Sequence, residues 1–266
     1  MKEDTYEDDS LVQKPGMLEV SHVSFAYPGG EKIYEDFNLS AFPGQIIGVT
    51  GAVACGKSTL GKTFLCEYPY EGRICFHGKE LSGMTKAEQN GMVGYLGHDP
   101  ELFNDSVRNN ILLGDDDDPE KYLKAVCFDG EVAEMEEGMD TIVGNGGVRL
   151  SGGQAQRLAL ARTLCHKRPV LILDDPFSAL DRKTEEEVFA NLRKFTADSI
   201  VILLSHRLYL FPEMDQVLWM EAGKVTAGTH EQILEKFPEY ARLYEAQADG
   251  ADAHSTQEGG LDHAEK

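Results

Sequence analysis

No run of the 266-residue chain approaches the roughly 18 consecutive apolar residues that a membrane-spanning helix needs. The longest, such as Ile200-Val201-Ile202-Leu203-Leu204, have the size of a buried strand. The first ten residues, MKEDTYEDDS, lack the apolar core of a secretory signal. Cysteine is sparse: Cys55, Cys66, Cys75, Cys127 and Cys165 stand apart, with no C-x-x-C pair. That spacing speaks for separate thiols in a reducing compartment and against a disulfide framework or a zinc site. Basic residues are scarce too. Lys and Arg number 25 against 46 Asp and Glu, a formal net charge of −21. Such a surface repels nucleic acid and anionic lipid, so no nucleic-acid partner is expected, although a local phosphate site is not forbidden. Together these absences predict a soluble, cytoplasmic chain.

What is present is enough apolar residue, 41%, to bury a core without covalent staples. Residues 1–16 are acidic and read as a flexible lead or linker, and 249–266 as a disordered acidic tail. Between them, over 17–248, period-two and continuous apolar stretches predict strands near 18–25, 32–40, 45–50, 72–77 and 92–96. From about 104 to 168 the apolar spacing turns helical. Strands and helices then alternate: strands near 170–174, 199–204, 215–220 and 224–227, helices over 182–195 and 229–247. The pattern is α/β with an inserted helical block. The acidic run Asp115–Asp118 precedes Pro119 and reads as a solvated loop ahead of a helix.

Two stretches carry chemistry. Gly51-Ala52-Val53-Ala54-Cys55-Gly56-Lys57-Ser58-Thr59 fits G-x-x-x-x-G-K-[ST], with a buried strand before it and a helix after it. Glycines let the backbone wrap with its amides turned inward, a cradle for phosphate oxygens. The helix start adds positive potential, Lys57 can reach the β- and γ-phosphates, and Ser58 can ligate Mg²⁺. Cys55 lies within this loop, so alkylation there would block it. The second stretch is Leu150-Ser151-Gly152-Gly153-Gln154. Ser151 can cap a helix while the glycines admit an anion to its first amides.

With these pieces in this order, residues 17–247 resemble the nucleotide-binding domain of ATP-binding cassette (ABC) transporters. Tyr27 fits the aromatic that stacks on adenine, and Gly51–Thr59 the Walker A loop. Gly94-Tyr95-Leu96-Gly97-His98-Asp99-Pro100 fits the Q-loop region, and Leu150–Gln154 the family signature. Leu171–Asp175 fits Walker B, Ser178-Ala179-Leu180-Asp181 the D-loop, and Ser205-His206-Arg207 the switch-histidine loop. Leu102–Arg108 and Thr141–Gly144 look like the exporter branch. The resemblance implies a P-loop NTPase of the ABC ATPase fold. Its mixed-sheet core would carry an antiparallel β subdomain and an inserted α-helical subdomain. It further implies ATP and Mg²⁺ as cofactors and a head-to-tail dimer in which ATP lies between one subunit's Walker loops and the other's signature. It implies transmembrane domains, not in this chain, holding it at the cytoplasmic face of the membrane. The nucleotide contacts carried over are Tyr27, Gly51 to Thr59, Ser151, Gly152, Gly153, Gln154 and Asp181. The metal contacts are Ser58, Asp174 and the Q-loop position, and the catalytic groups are at 175, 98 and 206.

The sequence departs from the family at two of these. After the apolar strand Leu171-Ile172-Leu173 come Asp174 and Asp175, which must point to opposite faces. Asp174 is placed to serve Mg²⁺. Asp175 stands where the family has a glutamate that polarises the attacking water, and aspartate is one bond shorter, about 1.5 Å. A misplacement of about 1 Å can cost on the order of a hundredfold in rate. The Q-loop glutamine, which contacts Mg²⁺ or that water, is His98 here, and imidazole matches Mg²⁺ poorly. Asn145 replaces an acid common in exporters. The expectation is a site that holds Mg-ATP but hydrolyses it slowly, as in the degenerate half of a heterodimeric exporter. The alternatives are an essentially non-hydrolytic, ATP-gated dimerisation module and a soluble ABC ATPase outside transport.

Overall fold

The structure is a computed structural model that describes residues 16–144 and 146–255. The expected lead up to residue 15, the end from residue 256, and Asn145 lie outside the described residues. The chain opens with an antiparallel pair, β1 (Leu18–Ala26) and β2 (Lys32–Ala41), joined through the Tyr27–Gly30 turn. β3 (Ile46–Gly51) leads through the glycine-rich loop into α1 (Lys57–Thr63). There follow β4 (Glu71–Phe76), β5 (Lys79–Glu80), α2 (Lys86–Met92) and β6 (Val93–Leu96).

The helical block holds β7 (Asp105–Ser106), α3 (Val107–Leu112), α4 (Glu120–Ala125), α5 (Asp129–Ala133), β8 (Ile142–Val143) and α6 (Gly152–Cys165). The chain then returns to the sheet with β9 (Val170–Asp174), α7 (Arg182–Phe195), β10 (Ile200–Leu204), β11 (Gln216–Glu221) and β12 (Lys224–Gly228). It closes with α8 (His230–Lys236) and α9 (Pro238–Ser255). The last helix thus runs past residue 248, where the sequence pattern predicts the end of ordered chain. Within the helical block, β7 and β8 pair as a small antiparallel ribbon, Asp105 opposite Val143, which periodicity over two residues could not reveal.

A single ten-stranded sheet runs β5-β4-β1-β2-β12-β11-β3-β10-β9-β6. Strands β6, β9, β10, β3 and β11 are parallel, and the other half is chiefly antiparallel. The parallel strands are buried on both faces, which is why they read as continuous apolar runs. Val170 and Ile172 of β9 face one apolar core with α1, and Leu171 and Leu173 face another with the helical block and α7. On α1, a Cβ at Gly61 would stand 3.0 Å from Ile172 Cγ2, so glycine lets this helix lie close against the sheet.

Register across the parallel strands aligns the functional ends. Val49 pairs with Leu204, and Leu204 with Asp174. Leu96 at the end of β6 sits opposite Leu173. The phosphate loop, the acidic pair and the switch loop therefore leave one edge of the sheet side by side. Ligands of open α/β sheets bind at this carboxyl-terminal edge.

Candidate nucleotide site

The loop between β3 and α1 takes left-handed backbone at Ala54 and Gly56, with φ of 61° and 103°. A Cβ at Gly51 would run into the Met220 carbonyl oxygen. Among the described residues no side chain caps α1, so its first amides stay available to an anion. Lys57 is buried and donates to the carbonyls of Gly51 at 3.0 Å and Ala52 at 2.9 Å. Its ammonium lies across the loop, 3.8 Å from the Cys55 sulfur. Ser58 is exposed at the helix start.

Tyr27, just after β1, is brought to the same place. Its hydroxyl lies 3.3 Å from Thr59 Oγ1. Its ring meets Phe25 and Tyr68 edge-on, with centroids 5.1 and 5.3 Å apart. The exposed Tyr27 and Tyr68 rings form an aromatic corner beside the loop, and Tyr68 had no motif to flag it.

Asp174 closes β9, buried, and accepts a hydrogen bond from the Tyr95 hydroxyl at 3.1 Å. Burial first, then the Asp174 carboxylate, pushes the Tyr95 phenol up, so it remains a donor. Ser58 and Asp174 offer hard oxygens, the donors Mg²⁺ prefers. Among the described residues no three His, Cys, Asp or Glu side chains gather into a cage. A cation here would thus take most of its ligands from phosphate and water, the usual arrangement for Mg²⁺ at a nucleotide. When bound, Mg²⁺ would neutralise charge developing on the phosphates.

Asp175 has left-handed backbone, φ 51°, and its amide donates to the Leu204 carbonyl at 2.8 Å. Aspartate tolerates that region better than most side chains. Burial pushes its carboxyl up, and the charges of His206, His98 and Arg207 pull it back down. His98 Nδ1 lies 3.8 Å from Asp175 Oδ2. The two departures from the family pattern, far apart in sequence, therefore face each other. His98 turns this nitrogen to the carboxylate at 175. Desolvation, then the Lys57 ammonium, holds His206 below the ordinary imidazole value, while Asp175 and Asp174 oppose that shift. The switch imidazole is thereby biased toward its neutral form.

The signature belongs to a different part of the molecule. Ser151 caps α6 in a reciprocal box: its hydroxyl accepts from the Gln154 amide at 3.2 Å, and its amide donates to Gln154 Oε1 at 2.9 Å. Gln154 Nε2 donates to Glu131 at 2.8 Å, and Arg157 pairs with the same carboxylate at 2.6 Å. A Cβ at Gly153 would stand 2.7 Å from the Ala179 carbonyl oxygen, so the signature rests on the chain's own D-loop. Asp181 caps α7, accepting from the Thr184 amide at 3.0 Å and its hydroxyl at 2.7 Å. Glu131 carries no motif and Tyr95 stands in the Q-loop stretch without an assigned task, since a partner across the fold leaves no local pattern.

The ABC transporter family profile matches residues 34–178. Over 243 residues the chain is 35% identical to the "Probable multidrug resistance ABC transporter ATP-binding/permease protein YheI" of Bacillus subtilis, covering 89% of this chain and 42% of that protein. It is 38% identical over 237 residues to an ATP-dependent lipid A-core flippase of Pseudomonas syringae, covering 86% of this chain and 40% of that one. Among solved structures, a bacterial Atm1-family ABC exporter with ATP bound superposes with a TM-score of 0.81 at 30% identity, over 90% of this chain and 43% of the other. The chain thus spans about two-fifths of the length of these relatives. With its profile over more than half the sequence and its fold shared with an exporter's ATP-bound domain, the chain belongs to the ABC transporter family, as a nucleotide-binding domain of the ATPase type.

Proposed function

We propose that this chain powers an exporter. It grips Mg-ATP and pairs head-to-tail with a second, different nucleotide-binding domain. It moves membrane-spanning domains from their cytoplasmic side. Its own Walker site turns over slowly, while its signature completes the partner's site. The exporter part is supported by two of these relatives, a flippase and an exporter by name. Among the described residues no helix is long and apolar enough to cross a membrane, so the spans would come from elsewhere.

The slow site rests on the 3.8 Å approach of His98 Nδ1 to Asp175 Oδ2. A general base must reach the water whose proton it takes. Here the carboxylate is one bond short, and one oxygen faces an imidazole that would hold it when protonated. Grip would be unaffected, because the sequence retains Lys57, Ser58 and Asp174.

Single-turnover hydrolysis of Mg-ATP tests this. Asp175→Glu combined with His98→Gln should speed the chemical step at least tenfold with ATP affinity nearly unchanged. No gain, or brisk turnover by a homodimer of the parent chain, would remove the slow-site reading. Co-purification with a polytopic membrane protein tests the exporter part.

A further inference from the structure

Glu185 lies on the same stripe of α7 as Val188, Phe189 and Leu192, which face the core. It is 0% exposed. A carboxyl in an apolar stripe is costly unless something holds it, and here two groups do. Arg207 Nη1 donates to Glu185 Oε2 at 2.8 Å, and the Tyr209 hydroxyl donates to the same oxygen. Among the described residues the other oxygen, Oε1, has no hydrogen-bond partner. None of Glu185, Arg207 and Tyr209 is among the expected nucleotide contacts, and Arg207 reaches further than this pairing.

The second arm of that guanidinium, Nη2, donates to the Ser178 carbonyl at 2.9 Å. Ser178 closes the turn that begins at Asp175, its amide donating to the Asp175 carbonyl at 3.2 Å. Arg207 directly follows His206 in sequence, and its own amide donates to Ser205 Oγ at 3.0 Å. One planar fork therefore joins the segment carrying the switch histidine to the turn carrying the water-polarising acid. Arg182, the first residue of α7, lies over the Tyr209 ring at 4.4 Å, which closes the cluster from outside.

We infer that Arg207, seated by Glu185, is a positioning residue: it fixes the turn from Asp175 through Ser178 relative to His206, so that acid and switch imidazole move as one unit. The inference rests on the nucleotide site itself and not on how fast that site turns over. A fork is needed because two acceptors in different directions must be held by one rigid group. Lysine, a point donor on a flexible stem, can serve one of them at a time. Glu185 is needed as an acceptor, which glutamine can supply as well.

Hydrogen exchange of the full chain, read on peptides covering 175–181, tests the brace without requiring turnover. Arg207→Lys should raise exchange in that segment at least tenfold and leave α1 and the later turns of α7 at parental rates. Glu185→Ala should do the same, while Glu185→Gln should keep the segment protected. In the parent and in the Asp175→Glu, His98→Gln background alike, Arg207→Lys should cut the single-turnover rate about tenfold and keep the Kd for Mg-ATP within twofold. Unchanged exchange over 175–181 in Arg207→Lys would overturn the inference. So would a rise shared equally by every peptide, which marks a merely structural residue. Loss of protection in Glu185→Gln as large as in Glu185→Ala would overturn the part assigned to Glu185.

Discussion

Lys57 and Gly153 show how much a single residue decides here. Among the described residues Lys57 makes polar contacts to loop carbonyls and the neighbouring thiol alone, so Lys57→Met should leave the thermal midpoint nearly unchanged. It should weaken Mg-ATP binding at least tenfold, read by displacement of a fluorescent nucleotide. Gly153→Ala should act elsewhere. The added methyl would press on the Ala179 carbonyl at 2.7 Å, a distance real contacts do not allow, and backbone must give way. ATP binding by this chain should stay within twofold, while hydrolysis in a mixed dimer with a competent partner should fall about tenfold. Equal rates for parent and variant in that mixed dimer would show that this signature does not face the partner's nucleotide.

At the scale of elements, much was legible because each strand and helix declares itself locally. The run Val170–Leu173 is apolar on both faces and lies in β9. Ser151, two glycines and a glutamine announced a capped helix, and α6 begins there. What local pattern could not show is which strand ends meet. His98 and Asp175 each lie two residues beyond a paired position, Leu96 and Leu173. Their approach follows from the parallel pairing of β6 with β9 across an intervening helical block, a fact of register that composition does not encode. Asp181, expected as a nucleotide contact, is also the cap of α7. Its capping of α7 implies that Asp181→Ala costs about 1 kcal/mol of stability, measurable by urea denaturation, while Asp181→Asn should keep most of the cap. A catalytic defect in the asparagine variant as deep as in the alanine one would reveal a task beyond the cap.

For the whole molecule, the buried carboxyl on α7 leaves a mark on stability. Burial pushes Glu185 up to about 7 from an ordinary 4.5, against the pull of Tyr209 and Arg207. The folded chain therefore holds that proton more tightly than the unfolded chain does. Stability from this group is fullest below about 4.5, declines as pH rises toward 7, and levels off above. Thermal midpoints of Glu185→Gln should fall less steeply than the parent's across that window, and parallel curves would refute the assignment. The sheet, by contrast, was readable as α/β, but its continuity was not. Nothing local in β2 and β12 states that they adjoin, Lys224 beside Glu35, fusing the antiparallel and parallel halves into one surface.

The ammonium of Lys57 already has two good acceptors in the loop's own carbonyls. A triphosphate arriving there would exchange partners with that side chain and would not simply gain new ones. Departure of the nucleotide would then leave the ammonium with acceptors to return to. A cradle that tolerates its guest leaving is suited to cycling, whereas one that depended on its guest would become a trap.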